Sequence, residues 1–231
     1  MKEAFNNLQE TIGYFFKEEN LLYKAMSHTS FTNERHISKI KSNERLEFLG
    51  DAVLELITSE FLYHKYPQMP EGELTKLRAS MVCEPALAFC AKEIGLGEHL
   101  MLGKGEELTG GRVRDSITSD ALEALIGAIY LDGGFANAKD FIFRFVLNDL
   151  DQKKLFYDSK TILQETVQGN MATNVSYKLL SEEGPDHNKT FSVGVYVHET
   201  CYATGKGRTK KAAEQEAAYK MLLELKKTVK K

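Results

Sequence analysis

The chain has 231 residues, 42% of them hydrophobic and 27% charged, which excludes a disordered polymer and supplies apolar material for one main domain and a small one. The opening MKEAFNNLQE lacks the apolar core of an export signal, no apolar run approaches the ~18 residues of a membrane span, and three cysteines (Cys83, Cys90, Cys201) without CxxC spacing argue against a disulfide framework or a zinc site; a soluble, cytoplasmic protein is expected. The net charge of −3 is unevenly divided, with 18 Lys and Arg against 24 Asp and Glu in residues 1–155 and 12 against 9 in the rest, so an acidic and a basic part should do different jobs.

From the start to about residue 150 the apolar spacing is helical throughout. EAFNNLQETIGYFF, NLLYKAMSH, the run 43–66, ELTKLRASMV, PALAFCAKEIG, SDALEALIGAIYL and AKDFIFRFVLNDL predict about seven helices and no strand, an all-α domain over 1–150. The polar junction DQKKLFYDS predicts a linker at 151–158. Beyond it come a short helix, TILQETVQG, three alternating runs, VSYKLLSEEG, TFSVGVYVHE and TCYATGKG, and a long helix, KKAAEQEAAYKMLLELKK. Residues 159–228 therefore read as an α+β unit of order α-β-β-β-α, which makes the chain multi-domain.

The run NERLEFLGDA places Glu44, Glu47 and Asp51 within roughly 60° of one another on a helix, while Leu46, Leu49, Val53, Leu54 and Ile57 face elsewhere and can pack. Gly50 leaves room for something to approach the backbone, and Asn43 is placed to cap the first turn with its side chain. A second run, SDALEALIGAIYLDGG, puts Asp120 and Glu123 three residues apart on an otherwise apolar helix, which should be central in its domain. One reading pairs these acids with Arg45, Arg78 or Lys76. The other starts from repulsion: like charges ~4 Å apart cost ~4 kcal/mol at an effective dielectric near 20, so two such sets together need a cation. Oxygen ligands without His or Cys favour Mg²⁺ or Mn²⁺ over zinc, and such an ion completes its octahedron with water and substrate phosphates. Histidine acid–base chemistry is disfavoured, because His28, His36, His64, His99, His187 and His198 show no pairing spacing; His28 reads as a hydrogen-bonded core or capping residue. The stretch GKGEELTGG lacks the spacing of a phosphate-binding loop and reads as a connecting loop, so no nucleotide cofactor is expected.

NERLEFLGDAVLEL resembles the signature of the ribonuclease III family, and SHTSF, EGELTKLRASMV, GKGEELTGGRVRDSI and SDALEALIGAIYLDGG are similar to other stretches of its nuclease domain, in the same order. The departures, SHTSF for the commoner THRSY and ITSDALEA for ILADALEA, touch no acid. The resemblance implies that Glu47, Asp120 and Glu123 are Mg²⁺ ligands, with Mn²⁺ as a substitute, and that Asp51 and Glu123 are the catalytic pair. Glu44 and Glu71 match acids that line the cleavage valley or support a dimer.

The second unit resembles a double-stranded RNA-binding domain, on EEGPDHNKTF and KKAAEQEAA above all. Thr161, Gln164, Glu165 and Gln168 share one face of its first helix, a polar stripe suited to 2′-hydroxyls and base edges in the shallow minor groove of A-form RNA. The turn containing Gly184, Pro185 and His187 would reach a second minor groove. Lys206, Arg208, Lys210 and Lys211 crowd the start of the last helix, where free N–H groups already attract phosphate. Ala213, Ala217, Met221, Leu222 and Leu225 form that helix's buried stripe.

The resemblance as a whole implies a homodimeric, Mg²⁺-dependent endoribonuclease that cuts double-stranded RNA to 5′-phosphate and 3′-hydroxyl ends with short 3′ overhangs, in the processing of ribosomal RNA precursors and structured messages. Phe48 and Leu49, next to the acids, are candidates for the dimer contact. The rival reading, a non-catalytic dimeric binder of double-stranded RNA, calls for a lost acid at a metal position, and none is lost. A metal-dependent DNA nuclease is disfavoured by the stripe that reads 2′-hydroxyls.

Overall fold

Leu46, Val53, Leu54, Ile57 and Leu62 fall at offsets of three, four, seven and eight residues in the run 43–66, and all five are buried. That periodicity makes one long amphipathic helix of the run. In the computed structural model, which describes residues 5–148, 159–171, 173–184, 189–207 and 209–229, it is α4 (Glu44–Lys65). The chain divides into two compact units, Met1–Asn148 and Asp149–Lys231.

The described part of the first unit is helical. In chain order it holds α1 (Asn6–Ile12), α2 (Glu19–Ala25), α3 (Thr29–Glu34), α4, α5 (Glu71–Met81), α6 (Glu84–Glu93), α7 (Lys104–Leu108) and α8 (Asp115–Phe145), with 3₁₀ turns at Lys39–Lys41, Leu96–His99 and Gly111–Val113. Helix α8 is the core element. Ala121, Leu122, Ala124, Leu125, Ile126, Ala128 and Ile129 are fully buried, and α2, α4 and α6 all pack on it.

One expectation holds and one needs correction. The last two helices of the all-α part are two, as expected: they lie within the range given for α8 and meet at a kink at Gly134, whose φ of 78° lies in the left-handed region that favours glycine. Beside that break the Asp132 carboxylate accepts from the Tyr14 hydroxyl at 2.7 Å and from the amides of Lys17 and Glu18 at 3.1 and 2.8 Å, fixing the loop before α2. The GKGEELTGG stretch is more than a loop: it contains α7, and Arg112 just beyond forms two hydrogen bonds to Glu107 and donates to the carbonyls of Gly97, Glu98 and Leu100. At five and six residues, α7 and α3 are too short to show a helical period.

The second unit follows the expected order: α9 (Ser159–Met171), β1 (Val175–Glu183), β2 (Thr190–Val197), β3 (Thr200–Gly207) and α10 (Lys210–Val229). The sheet is antiparallel in the order β1-β2-β3, with register shifts that leave Leu180 and Tyr202 unpaired. Leu163 and Val167 of α9, Val195 and Val197 of β2, and Ala217, Ala218, Met221 and Leu222 of α10 make its core. Small residues in α10 matter here. A Cβ on Gly205 would overlap the carbonyl of Ala213, so β3 and α10 touch through their backbones. The expected linker 151–158, and Pro185, His187 and Arg208, lie outside the described residues.

Candidate active site

The acids come together because two helices cross backbone to backbone. A Cβ on Gly50 of α4 would overlap the carbonyl oxygen of Glu123, and one on Gly127 of α8 would overlap the carbonyl of Leu46. Only a pair of glycines permits this approach, and it sets the turn carrying Glu47 and Asp51 against the turn carrying Asp120 and Glu123. Sequence reading singled out Gly50 without identifying what approaches it; that is α8. Gly127 was missed, since nothing marks one glycine within an apolar helix as a crossing point.

Glu47, Asp120 and Glu123 each offer a carboxylate oxygen, and the three lie within 4.8 Å of one another. All three are half-buried, whereas Asp51 is exposed at the rim. Among the described residues no ion pair includes any of the four. Of the side chains that could neutralise them, Arg78 lies 3.7 Å from Glu55 and donates to the Ser59 hydroxyl at 2.8 Å, and Arg45 is exposed. The cost appears in the proton affinities. Burial, then the fields of Asp51, Asp120 and Glu47, pushes Glu123 from an ordinary 4.5 up to about 8. Burial, then Asp120, Glu44 and Asp51, pushes Glu47 up to about 6. Asp120 is also raised by burial, against the opposing effects of the Ser119 hydroxyl and His28.

This arrangement fits a divalent cation. Its donors are hard oxygens, and an ion with ligands at ~2.1 Å holds opposite oxygens ~4.2 Å apart, so small side-chain rotations would close the set. No histidine or cysteine belongs to it, which disfavours zinc.

The neighbouring residues divide. Glu44 is 3.2 Å from Lys39 and contributes to the field on Glu47. Glu71 opens α5, is exposed and accepts from the Thr75 hydroxyl at 2.9 Å; it does not join the acid group. Asn43 precedes α4, but its side chain forms no cap hydrogen bond. The residue is buried with helical rather than extended backbone angles, which do not suit a side-chain cap; its own N–H donates to the Ser27 carbonyl at 2.8 Å. His28 does cap α3, its Nδ1 accepting from the Ser30 amide. Burial lowers its pKa despite Glu106, Asp120 and Glu44 nearby.

In the second unit Thr161, Glu165 and Gln168 of the expected stripe are exposed and Gln164 is half-buried. The Oδ1 of Asn174 accepts from Nε2 of both Gln164 and Gln168, each at 3.0 Å, and Oε1 of Gln164 accepts from the Val175 amide at 3.3 Å. Asn174 was not anticipated; it lies in the turn before β1, and only the chain reversal brings it to α9. Lys206, Lys210 and Lys211 are exposed. Lys210 is not free: it sits 3.0 Å from Glu182 and over the Phe191 ring.

Comparison with known proteins agrees with this division. A ribonuclease-III-like family model matches residues 18–150, and a double-stranded RNA binding motif matches residues 159–225. The chain is 49% identical over 219 residues to Ribonuclease 3 of Pelotomaculum thermopropionicum, covering 94% of this chain and 91% of that one. It is 48% identical to Ribonuclease 3 of Bacillus licheniformis over 227 residues, covering 97% and 91%. The solved nuclease domain of ribonuclease III from Campylobacter jejuni, whose structure displays flexibility in a region involved in dimer formation, covers 62% of this chain and 95% of its own, at 45% identity and a TM-score of 0.58.

Proposed function

The chain belongs to the ribonuclease III family and is an endoribonuclease of that type, and we propose that it hydrolyses double-stranded RNA with Mg²⁺, or Mn²⁺ in its place, held by Glu47, Asp120 and Glu123. The observation that carries this reading is the set of three half-buried carboxylates within 4.8 Å, none of them in an ion pair among the described residues. A bound divalent ion would polarise the scissile phosphate and acidify a water. The protein's own groups supply the rest. Asp51, one turn beyond Glu47 and open to solvent, orients the attacking water and takes up its proton, and the Gly50–Gly127 crossing fixes the distance between the two acidic turns. Attack by water rather than by the ribose 2′-hydroxyl leaves 5′-phosphate and 3′-hydroxyl ends.

Residues 1–150 form the nuclease domain in this reading, 151–158 the linker and 159–228 the RNA-binding domain. Thr161, Gln164, Glu165 and Gln168 meet one minor groove, Pro185 and His187 a second, and Lys206, Lys210 and Lys211 the phosphates between them, over ~16 base pairs. Glu44 and Glu71 line the cleavage valley or support the dimer. The enzyme acts as a cytoplasmic homodimer, one acidic site per strand, so that staggered cuts leave short 3′ overhangs; its substrates are ribosomal RNA precursors and structured messages. In support of a partner surface, Phe48 is 80% exposed beside Glu47 and Leu56 is 59% exposed two turns on, whereas Leu49 is half-buried and explained by packing. Among the described residues no helix is long and apolar enough to cross a membrane.

The test is incubation with an end-labelled RNA hairpin longer than ~16 base pairs, with Mg²⁺, with Ca²⁺ and with EDTA. Staggered cleavage with Mg²⁺, giving 5′-phosphate ends, is expected. A gel shift with no cleavage under any metal would overturn the metal-site assignment and leave a binding protein.

A further inference from the structure

We propose that Asn174 is a positioning residue for duplex recognition, orienting Gln164 and Gln168 toward the 2′-hydroxyls of the minor groove before RNA arrives. The inference rests on the reading above that these glutamines face RNA.

The geometry fixes every amide in the group. The Val175 N–H can only donate, so the Gln164 atom that receives it, at 3.3 Å, is Oε1. The other end of that amide is then Nε2, a donor, and its partner 3.0 Å away must be the Oδ1 of Asn174. An oxygen already accepting there can meet Gln168 only through Nε2, also at 3.0 Å. Both lone pairs of Oδ1 are thereby used. Each glutamine keeps one Nε2 hydrogen, and Gln168 keeps its Oε1 as an acceptor. A 2′-hydroxyl donates and accepts, so it can bond to that outward set; a deoxyribose offers nothing to it.

The glutamines sit one helical turn apart in α9, on the face from which Asn174 is reached. Glutamine side chains lose considerable rotamer freedom when fixed, and a ligand that must fix them binds more weakly than one that finds them already ordered. Asn174 sits outside the helix, at the turn into β1, and serves as the fixed point for both.

The experiment is a double-mutant cycle on the full chain, read as affinity for blunt double-stranded RNA and for an RNA–DNA hybrid of the same sequence, without divalent metal so that no strand is cut. Asn174→Ala should weaken duplex RNA binding roughly tenfold, with an unchanged slope against salt because no phosphate contact is lost. It should narrow the preference for RNA over hybrid. In a Gln164→Ala, Gln168→Ala background the same substitution should cost nothing further, since it acts through those side chains. An equal loss in both backgrounds, or none in either, would overturn the proposal. If removing the glutamines leaves binding intact, the minor-groove reading of the stripe falls and the proposal with it. If their removal weakens binding while Asn174→Ala alone does not, the stripe stands and only the positioning role falls. Thermal melting of each variant separates these outcomes from loss of the fold.

Discussion

In the first unit Glu47, Asp120 and Glu123 face one another across the α4–α8 crossing, none of them in an ion pair among the described residues, and burial, then the neighbouring acids, pushes Glu123 up to about 8. In the second, the comparable polar groups are already bonded. Gln164 and Gln168 meet Asn174, Lys160 lies 2.5 Å from Glu214, and Lys210 pairs with Glu182. On the proposed function, the contrast follows from what each surface would meet. A divalent ion brings concentrated charge, and carboxylates left uncompensated bind it most strongly; satisfying them internally would remove the attraction. The shallow groove of a duplex offers dispersed hydroxyls of little individual strength, and there a surface gains by being ordered beforehand.

The largest expected effect breaks the first half of this contrast. If Glu123 is a ligand as proposed, Glu123→Gln should lower single-turnover cleavage by at least about 10³-fold, while gel-shift affinity for duplex RNA stays within a factor of about two. A variant cutting at near the parental rate would show that Glu123 is no ligand.

Next in size is Gly50→Ala. A methyl group forced against the Glu123 carbonyl should destabilise the first unit by about 3 kcal/mol and weaken the metal dependence of whatever activity survives, read by thermal melting and Mg²⁺ titration.

A smaller effect tests whether the acids are uncompensated. Folding raises the pKa of Glu123 above its unfolded value, so the metal-free fold holds this proton more tightly than the unfolded chain does. Its contribution to stability is complete below about 4.5 and is lost as pH rises to about 8. Because the group is only half-buried and solvent screens it, the decline should be on the order of 1–2 kcal/mol. Melting curves of the metal-free protein across that window should show it, and Glu123→Gln or saturating Mg²⁺ should flatten it. Equal slopes in both proteins would place the proton elsewhere.

The smallest effect sharpens the second half. Lys211→Ala should reduce the slope of log affinity against log salt by about one, as for a lost phosphate contact. Lys210→Ala should change it less, because Lys210 must first leave Glu182. An unchanged slope for Lys211→Ala would show that this lysine misses the phosphates.

The acids were legible because a helix repeats every three to four residues, so 44, 47, 51 and 120, 123 declare their faces without tertiary knowledge. The strands of the second unit were legible for the corresponding reason, with β1, β2 and β3 beginning at the expected residues. Features that depend on distant chain segments were not. Asn43 looked like a cap because local chemistry favours it there, yet the buried residue takes helical backbone angles and its side chain makes no cap bond. Gly127 and Asn174 acquire their roles from residues across a helix crossing and a chain reversal, and short α3 and α7 give no period to read.

The glycine crossing also bears on motion at the acidic site. Loops that carry functional groups can open locally at little free-energy cost, whereas elements joined at the core open only with the whole. Glu47 and Glu123 are attached to two backbones in direct contact within the best-buried part of the unit, so no partial opening separates them. The distance between the two acidic turns is therefore set by the α4–α8 pair itself rather than by a mobile loop.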